Sequence, residues 1–239
     1  MSQLTFTHPT ALLLIDNQNG FTHPTHWGPS RSNPNYEANI QFLLTTFRNT
    51  LTTPPPSPQS LQQHHHHEII HIFHSSTTPT SPLHPTYTTP TGEKGIDPLP
   101  ICNPLPTEKQ IWKHVNSSFI GTELEEYLRE KGIRQLIVAG LTTDHCVSTT
   151  VRMAANLGVV DRMKTIKNVE GNEVIGKQDD EVDKGRIILV SDATATFAKG
   201  GWDAETVHQV SVASLDGESA EVRGVGEVVK ALEEYSASN

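Results

Sequence analysis

At 239 residues with 35% hydrophobic content, the chain is long enough to bury a full core, and a single domain spanning 1–239 is expected. A net charge of −9, with 18 Lys and Arg that form no dense basic block, argues against nucleic acid and anionic membrane as partners, because such a chain repels a phosphate backbone. Two cysteines, Cys102 in a Pro-rich stretch and Cys146, are too few for a disulfide framework and suit a reducing, cytoplasmic setting.

The N-terminal MSQLTFTHPTALLLIDNQ has no basic n-region, and its apolar run is shorter than a signal h-region or a membrane span, so no targeting segment is expected. ALLLID (11–16) reads as a buried strand ending in Asp16. That carboxylate either caps a turn or faces a ligand at the strand's carboxyl end. Ile40, Leu43, Leu44, Phe47 and Leu51 then form one apolar face of a helix.

The Pro- and Gln-rich segment 52–67, with His64 to His67, reads as a surface excursion whose histidines are a solvated run with no assigned function. EIIHIFH (68–74) is a second buried strand, and KQIWK places Lys113 near the end of a third. Lys113 is either solvated, as most lysines are, or drawn into chemistry by its neighbours.

A helix is predicted from Thr122, with Glu125 completing a capping box, to Gly132. QLIVAG (135–140) is the next strand. It leads into LTTDHCVSTTV, where Cys146 occupies the first turn of a helix carrying Val147, Val151 and Ala154. There the thiol is either buried filler or a nucleophile. Free amides and the helix dipole would depress its pKa and could also hold an oxyanion. His145 projects about 100° away from its neighbour and is a poor base for it.

A polar stretch, 161–185, reads as a second excursion before the strand RIILVSDA (186–193). Alternating strands and helices indicate a parallel sheet covered on both faces, with ligand chemistry at the strands' carboxyl ends. If the first strand neighbours the one preceding Cys146, Asp16 can act as the base for the thiol and Lys113 can hold the charges together.

The blocks LLLIDNQNGF, WKHVNSSF, VAGLTTDHCVSTTVRMAANLG and VSDATATF, in this order, closely resemble the isochorismatase-like cysteine hydrolase superfamily, whose members include nicotinamidases and N-carbamoylsarcosine amidohydrolases. The resemblance spans nearly the whole chain. It implies an α/β fold of three α-β-α layers around a six-stranded, mostly parallel Rossmann-like sheet, with a catalytic triad of Asp16, Lys113 and Cys146. It also implies a cis peptide between Leu141 and Thr142 and an oxyanion hole from the amides of Thr142 and Cys146.

The expected chemistry is attack of Cys146 on a planar carbonyl, with Asp16 moving the proton and water later resolving a thioester. The Asp-x-His metal pattern of nicotinamidases is missing, and His71 and His74 are three apart on a strand, facing opposite sides. No metal and no other cofactor is therefore expected.

Family members resembling the bacterial siderophore and phenazine enzymes carry glycine where Cys146 stands, so the resemblance favours a C–N bond as the one cleaved here. Isochorismate hydrolysis and a catalytically idle binding protein are the alternatives. Phe21, Trp27 and Phe119 are candidates to flank a small planar substrate, and Gln18 and Asn116 to hydrogen-bond it.

The C-terminal GWDAETVHQVSVASLDGESAEV resembles the family too, with an amphipathic helix around Val207, Val210 and Val212 and a strand near Ala220 to Val222. His208 is expected to make a structural hydrogen bond. A homo-oligomer, dimer or larger, is implied.

Overall fold

Every side chain of TALLLI is buried, which a strand allows only when both its faces are covered. The computed structural model describes residues 3–52, 67–163, 165–167, 173–175 and 182–238. Its main sheet has six strands: β1 (Thr10–Ile15), β2 (His67–His74), β3 (Lys109–Lys113), β4 (Gln135–Leu141), β5 (Arg186–Ala195) and β6 (Glu221–Arg223). They lie in the order β6-β5-β4-β1-β2-β3, and every pairing is parallel. The order reverses between β1 and β4, the crevice where doubly wound sheets bind ligands.

Strand alternation divides the core into two layers. On one face Leu12 and Leu14 meet Ile40, Leu43 and Phe47 of α1 (Tyr36–Thr52) and Val228 and Leu232 of α5 (Val225–Ser238). On the other, Leu13 and Ile15 meet Leu124 and Leu128 of α2 (Leu124–Glu130) and Val151 and Ala154 of α3 (Ser148–Leu157). A fourth helix, α4 (Ala204–Ala213), sits beyond the carboxyl end of β5. The result is the expected three-layer α-β-α arrangement. No helix among the described residues is long and apolar enough to cross a membrane.

One glycine sets how closely β4 approaches β1. Gly140 has φ +128°, the pairing of β4 with β5 shifts register beside it, and a Cβ there would lie 2.0 Å from the Ile15 carbonyl oxygen. Gly140→Ala therefore adds both a forbidden backbone angle and a clash with main chain. It is expected to cost about 3 kcal/mol or more, read as a lower urea midpoint. An unchanged midpoint would show that β4 can move away from β1 freely.

Several local expectations are corrected. The helix predicted from Thr122 starts at Leu124 and has no capping box: the Thr122 hydroxyl donates back to the Ser118 carbonyl, and Glu125 pairs with Arg129 at 2.9 Å. Its end at Gly132 stands, with φ +65° and the Ile133 amide bonded to the Leu128 carbonyl.

In α4, Val212 packs against the core layer of Val151, but Val210 is 66% exposed and the buried residues are Ala204 and His208, so only part of the valine set faces inward. The cap of that helix is Asp203, which accepts from the Thr206 amide at 2.9 Å. His67 is not part of a solvated run: it opens β2, is buried, and accepts from the Thr10 amide at 3.3 Å. His64 to His66 lie outside the described residues.

The 161–185 stretch contains two short antiparallel pairs, Arg162–Met163 with Val182–Asp183 and Thr165–Lys167 with Glu173–Ile175. Cys102 packs against the α1 layer as a free buried thiol, its pKa pushed up to about 12 by burial.

Candidate active site

Side chains from the carboxyl ends of neighbouring strands meet at the switch point. Asp16 follows β1 with φ +52°, Lys113 ends β3, His74 ends β2, and Cys146 lies in a π-helical turn, Thr143–Val147, between β4 and α3. The Lys113 ammonium donates to Asp16 Oδ2 at 2.7 Å, to Cys146 Sγ at 3.2 Å and to His74 Nδ1 at 3.1 Å. An ammonium has three N–H donors, so each has a partner. The Lys113 and Asp16 side chains are both 0% exposed.

Charge at this cluster follows from burial. Desolvation lowers the Lys113 pKa, but the Asp16 carboxylate and Cys146 more than reverse this, and the net shift is upward. The thiol is also pushed well above its ordinary range, first by burial and then by the Asp16 charge, with Lys113 opposing both. The expectation of a depressed thiol pKa is thus corrected. The Lys113 ammonium beside the sulfur is already paired with Asp16, so a thiolate would add an unbalanced buried charge. His74 is lowered to about 4 by burial and by the adjacent ammonium, so it is neutral at physiological pH.

A cavity of about 450 Å³ opens onto the sulfur. Phe21, Trp27, Asn116, Thr142 and Cys146 line it, and the peptide between Leu141 and Thr142 is cis. Phe21 stacks on Trp27 at 4.5 Å and lies 6.3 Å from Phe197, making an aromatic wall. The Asn116 side-chain oxygen is 3.7 Å from Cys146 Sγ.

Two candidate substrate residues do not reach the cavity. Gln18 is fully buried and its amide is consumed by main chain: Oε1 accepts from the His74 N–H, and Nε2 donates to the His74 and Ile96 carbonyls. Phe119 is held in the core layer of Val147 and Val151.

Sequence reasoning missed His74 as a neighbour of Lys113, and it missed Phe197 and Lys199, which line the same cavity. All three stand at or just after strand ends, the one signal that could have found them. Lys199 is held at 2.6 Å by Asp144, whose other oxygen accepts from the Thr196 hydroxyl. His145 is exposed, leans on Asp144 and lines the same cavity. His208 hydrogen-bonds Thr143 at 2.9 Å, which ties the π-helical turn to α4.

Among the described residues, Asp16, His74 and Cys146 bring ligand-type atoms within 4.8 Å of one another. The Lys113 ammonium bonds all three, so the place a metal would take is filled by the protein's own cation.

Comparison with known proteins agrees with this architecture. The Isochorismatase domain model matches residues 10–215. The isochorismatase family protein YrdC of Bacillus subtilis, itself uncharacterized, is 34% identical over 217 residues, covering 89% of this chain and 90% of that protein. A crystal structure from Chromobacterium violaceum, assigned to the isochorismatase family of hydrolases, superimposes with a TM-score of 0.72 at 32% identity, covering 98% of this chain and 99% of that one. N-carbamoylsarcosine amidase from Thermoplasma acidophilum shares the fold with a TM-score of 0.55 at 21% identity, covering 91% of this chain and 96% of that one. With a matching domain model over most of its length and a relative this similar end to end, the chain belongs to the isochorismatase family of hydrolases.

Proposed function

We propose that the chain is a cysteine hydrolase that cleaves a C–N bond, amide or ureide, in a small planar molecule through a thioester. The observation that carries this is the Lys113 ammonium, hydrogen-bonded at once to a buried carboxylate and a thiol at the floor of an open cavity.

Because the resting site holds a neutral thiol beside an ion pair, the nucleophile forms by moving one proton from Cys146 to Asp16, which leaves the net charge unchanged. Lys113 then pairs with the sulfur instead of the carboxylate. The thiolate attacks the carbonyl carbon, and the developing oxyanion turns toward the amides of Thr142 and Cys146. Asp16 returns its proton to the leaving nitrogen as the C–N bond breaks. Water then cleaves the thioester, with Asp16 accepting its proton. The aromatic wall of Phe21, Trp27 and Phe197 favours a flat substrate, and the cavity volume suits a small one.

The test is a screen for ammonia release from primary amides, ureido acids and N-carbamoyl amino acids, with isochorismate as a separate arm. Turnover of a C–N substrate that disappears in Cys146→Ala, with an acyl adduct on Cys146 seen by mass spectrometry, is the expected result. Isochorismate turnover that survives Cys146→Ala would replace this reading with ether cleavage by Asp16.

A further inference from the structure

We propose that His74 is a fourth working residue of the site: with Nδ1 taken by the Lys113 ammonium, its Nε2–H faces the cavity and donates a hydrogen bond to an acceptor atom beside the scissile carbonyl. The inference rests on the hydrolase reading above and deepens it by naming what the substrate must carry.

The tautomer follows from donor arithmetic. An ammonium only donates, so Nδ1, 3.1 Å from Lys113 Nζ, is an acceptor and the ring proton sits on Nε2. The ring stays neutral at physiological pH, so this assignment holds under working conditions. Among the described residues Nε2 has no hydrogen-bond partner and is not one of the buried unpaired atoms, while the residue lines the cavity with Cys146. A donor placed this way is satisfied by water until a ligand replaces it.

The main chain that carries the ring is also held in place, and Lys113 holds the ring itself through Nδ1. Gln18 grips the His74 main chain from both sides, accepting from its N–H at 2.8 Å and donating to its carbonyl at 2.9 Å. The fixed Nε2 donor therefore selects small amides or ureides with a second acceptor next to the carbonyl being attacked, such as another carbonyl, an ether oxygen or a ring nitrogen.

The probe pair is iodoacetamide, which brings a carbonyl acceptor to the sulfur, and iodoethane, which brings none. Second-order alkylation rates at Cys146 are measured for the intact chain, His74→Leu and His74→Gln, with thermal midpoints to confirm folding. His74→Leu should slow iodoacetamide about tenfold relative to iodoethane, and His74→Gln, which keeps both an acceptor for Lys113 and a donor for the cavity, should recover most of the loss. Equal changes with both reagents would overturn the proposal, because His74 would then act only through the lysine and the thiol. No change with either would overturn it as well. These rates are independent of turnover, so an inactive enzyme in the ammonia screen would sink the hydrolase reading without deciding this one.

Discussion

Lys113→Met is expected to lower the unfolding free energy by about 3–5 kcal/mol and to reduce turnover at least about a thousandfold. The ammonium donates to Asp16 Oδ2 at 2.7 Å, and among the described residues Asp16 Oδ1 has no hydrogen bond. Removing the lysine leaves the Asp16 carboxyl group, 0% exposed, without its cation. Methionine fills much of the same volume, so the loss reports charge and hydrogen bonding more than a cavity. Urea unfolding followed by circular dichroism gives the stability term. A variant that unfolds within about 1 kcal/mol of the parent would mean that the buried pair is solvated in ways the geometry does not show.

Asp16→Asn should move two measurements in opposite directions. Turnover falls by at least about a hundredfold, because the base for the thiol and the acid for the leaving nitrogen are lost together. Reactivity of Cys146 toward iodoacetamide rises. Burial and the Asp16 charge hold the thiol pKa up and Lys113 holds it down, so deleting the carboxylate leaves an unpaired ammonium beside the sulfur. The pKa drops, more thiolate is present at neutral pH, and the alkylation profile shifts to lower pH, by about tenfold in rate per unit at pH 7. Slower alkylation in Asp16→Asn would show that the carboxylate is not what keeps the thiol protonated.

Much of the fold was open to reading because its signals are local. Buried parallel strands appear as unbroken apolar runs, and ALLLID, EIIHIFH, QLIVAG and RIILVSDA each contain a strand that the structure places within a residue or two of those limits. The helix limits were less legible where a side chain had a choice. Thr122 has a carbonyl behind it at Ser118 as well as amides ahead, and Glu125 has Arg129 one turn on, so the cap gave way to competing partners. In α4 the valines repeat as an inner face would, yet the helix lies over the π-helical turn with His208 beneath it, and Val210 is left outside.

The amino-acid order by itself determined which residues stand at the ends of strands, and through the four blocks around Asp16, Lys113, Cys146 and Val190 it determined the family. Tertiary structure alone decided the state and company of those residues. Gln18 and Phe119 sit in the same blocks as the cavity residues yet point into protein, while His74 and Lys199, which no block marked, face the cavity. The protonation of Cys146 was beyond reach for the same reason. A thiol's pKa depends on the burial and charge assembled around it, and here Asp16 and Lys113 arrive from strands far away in the chain.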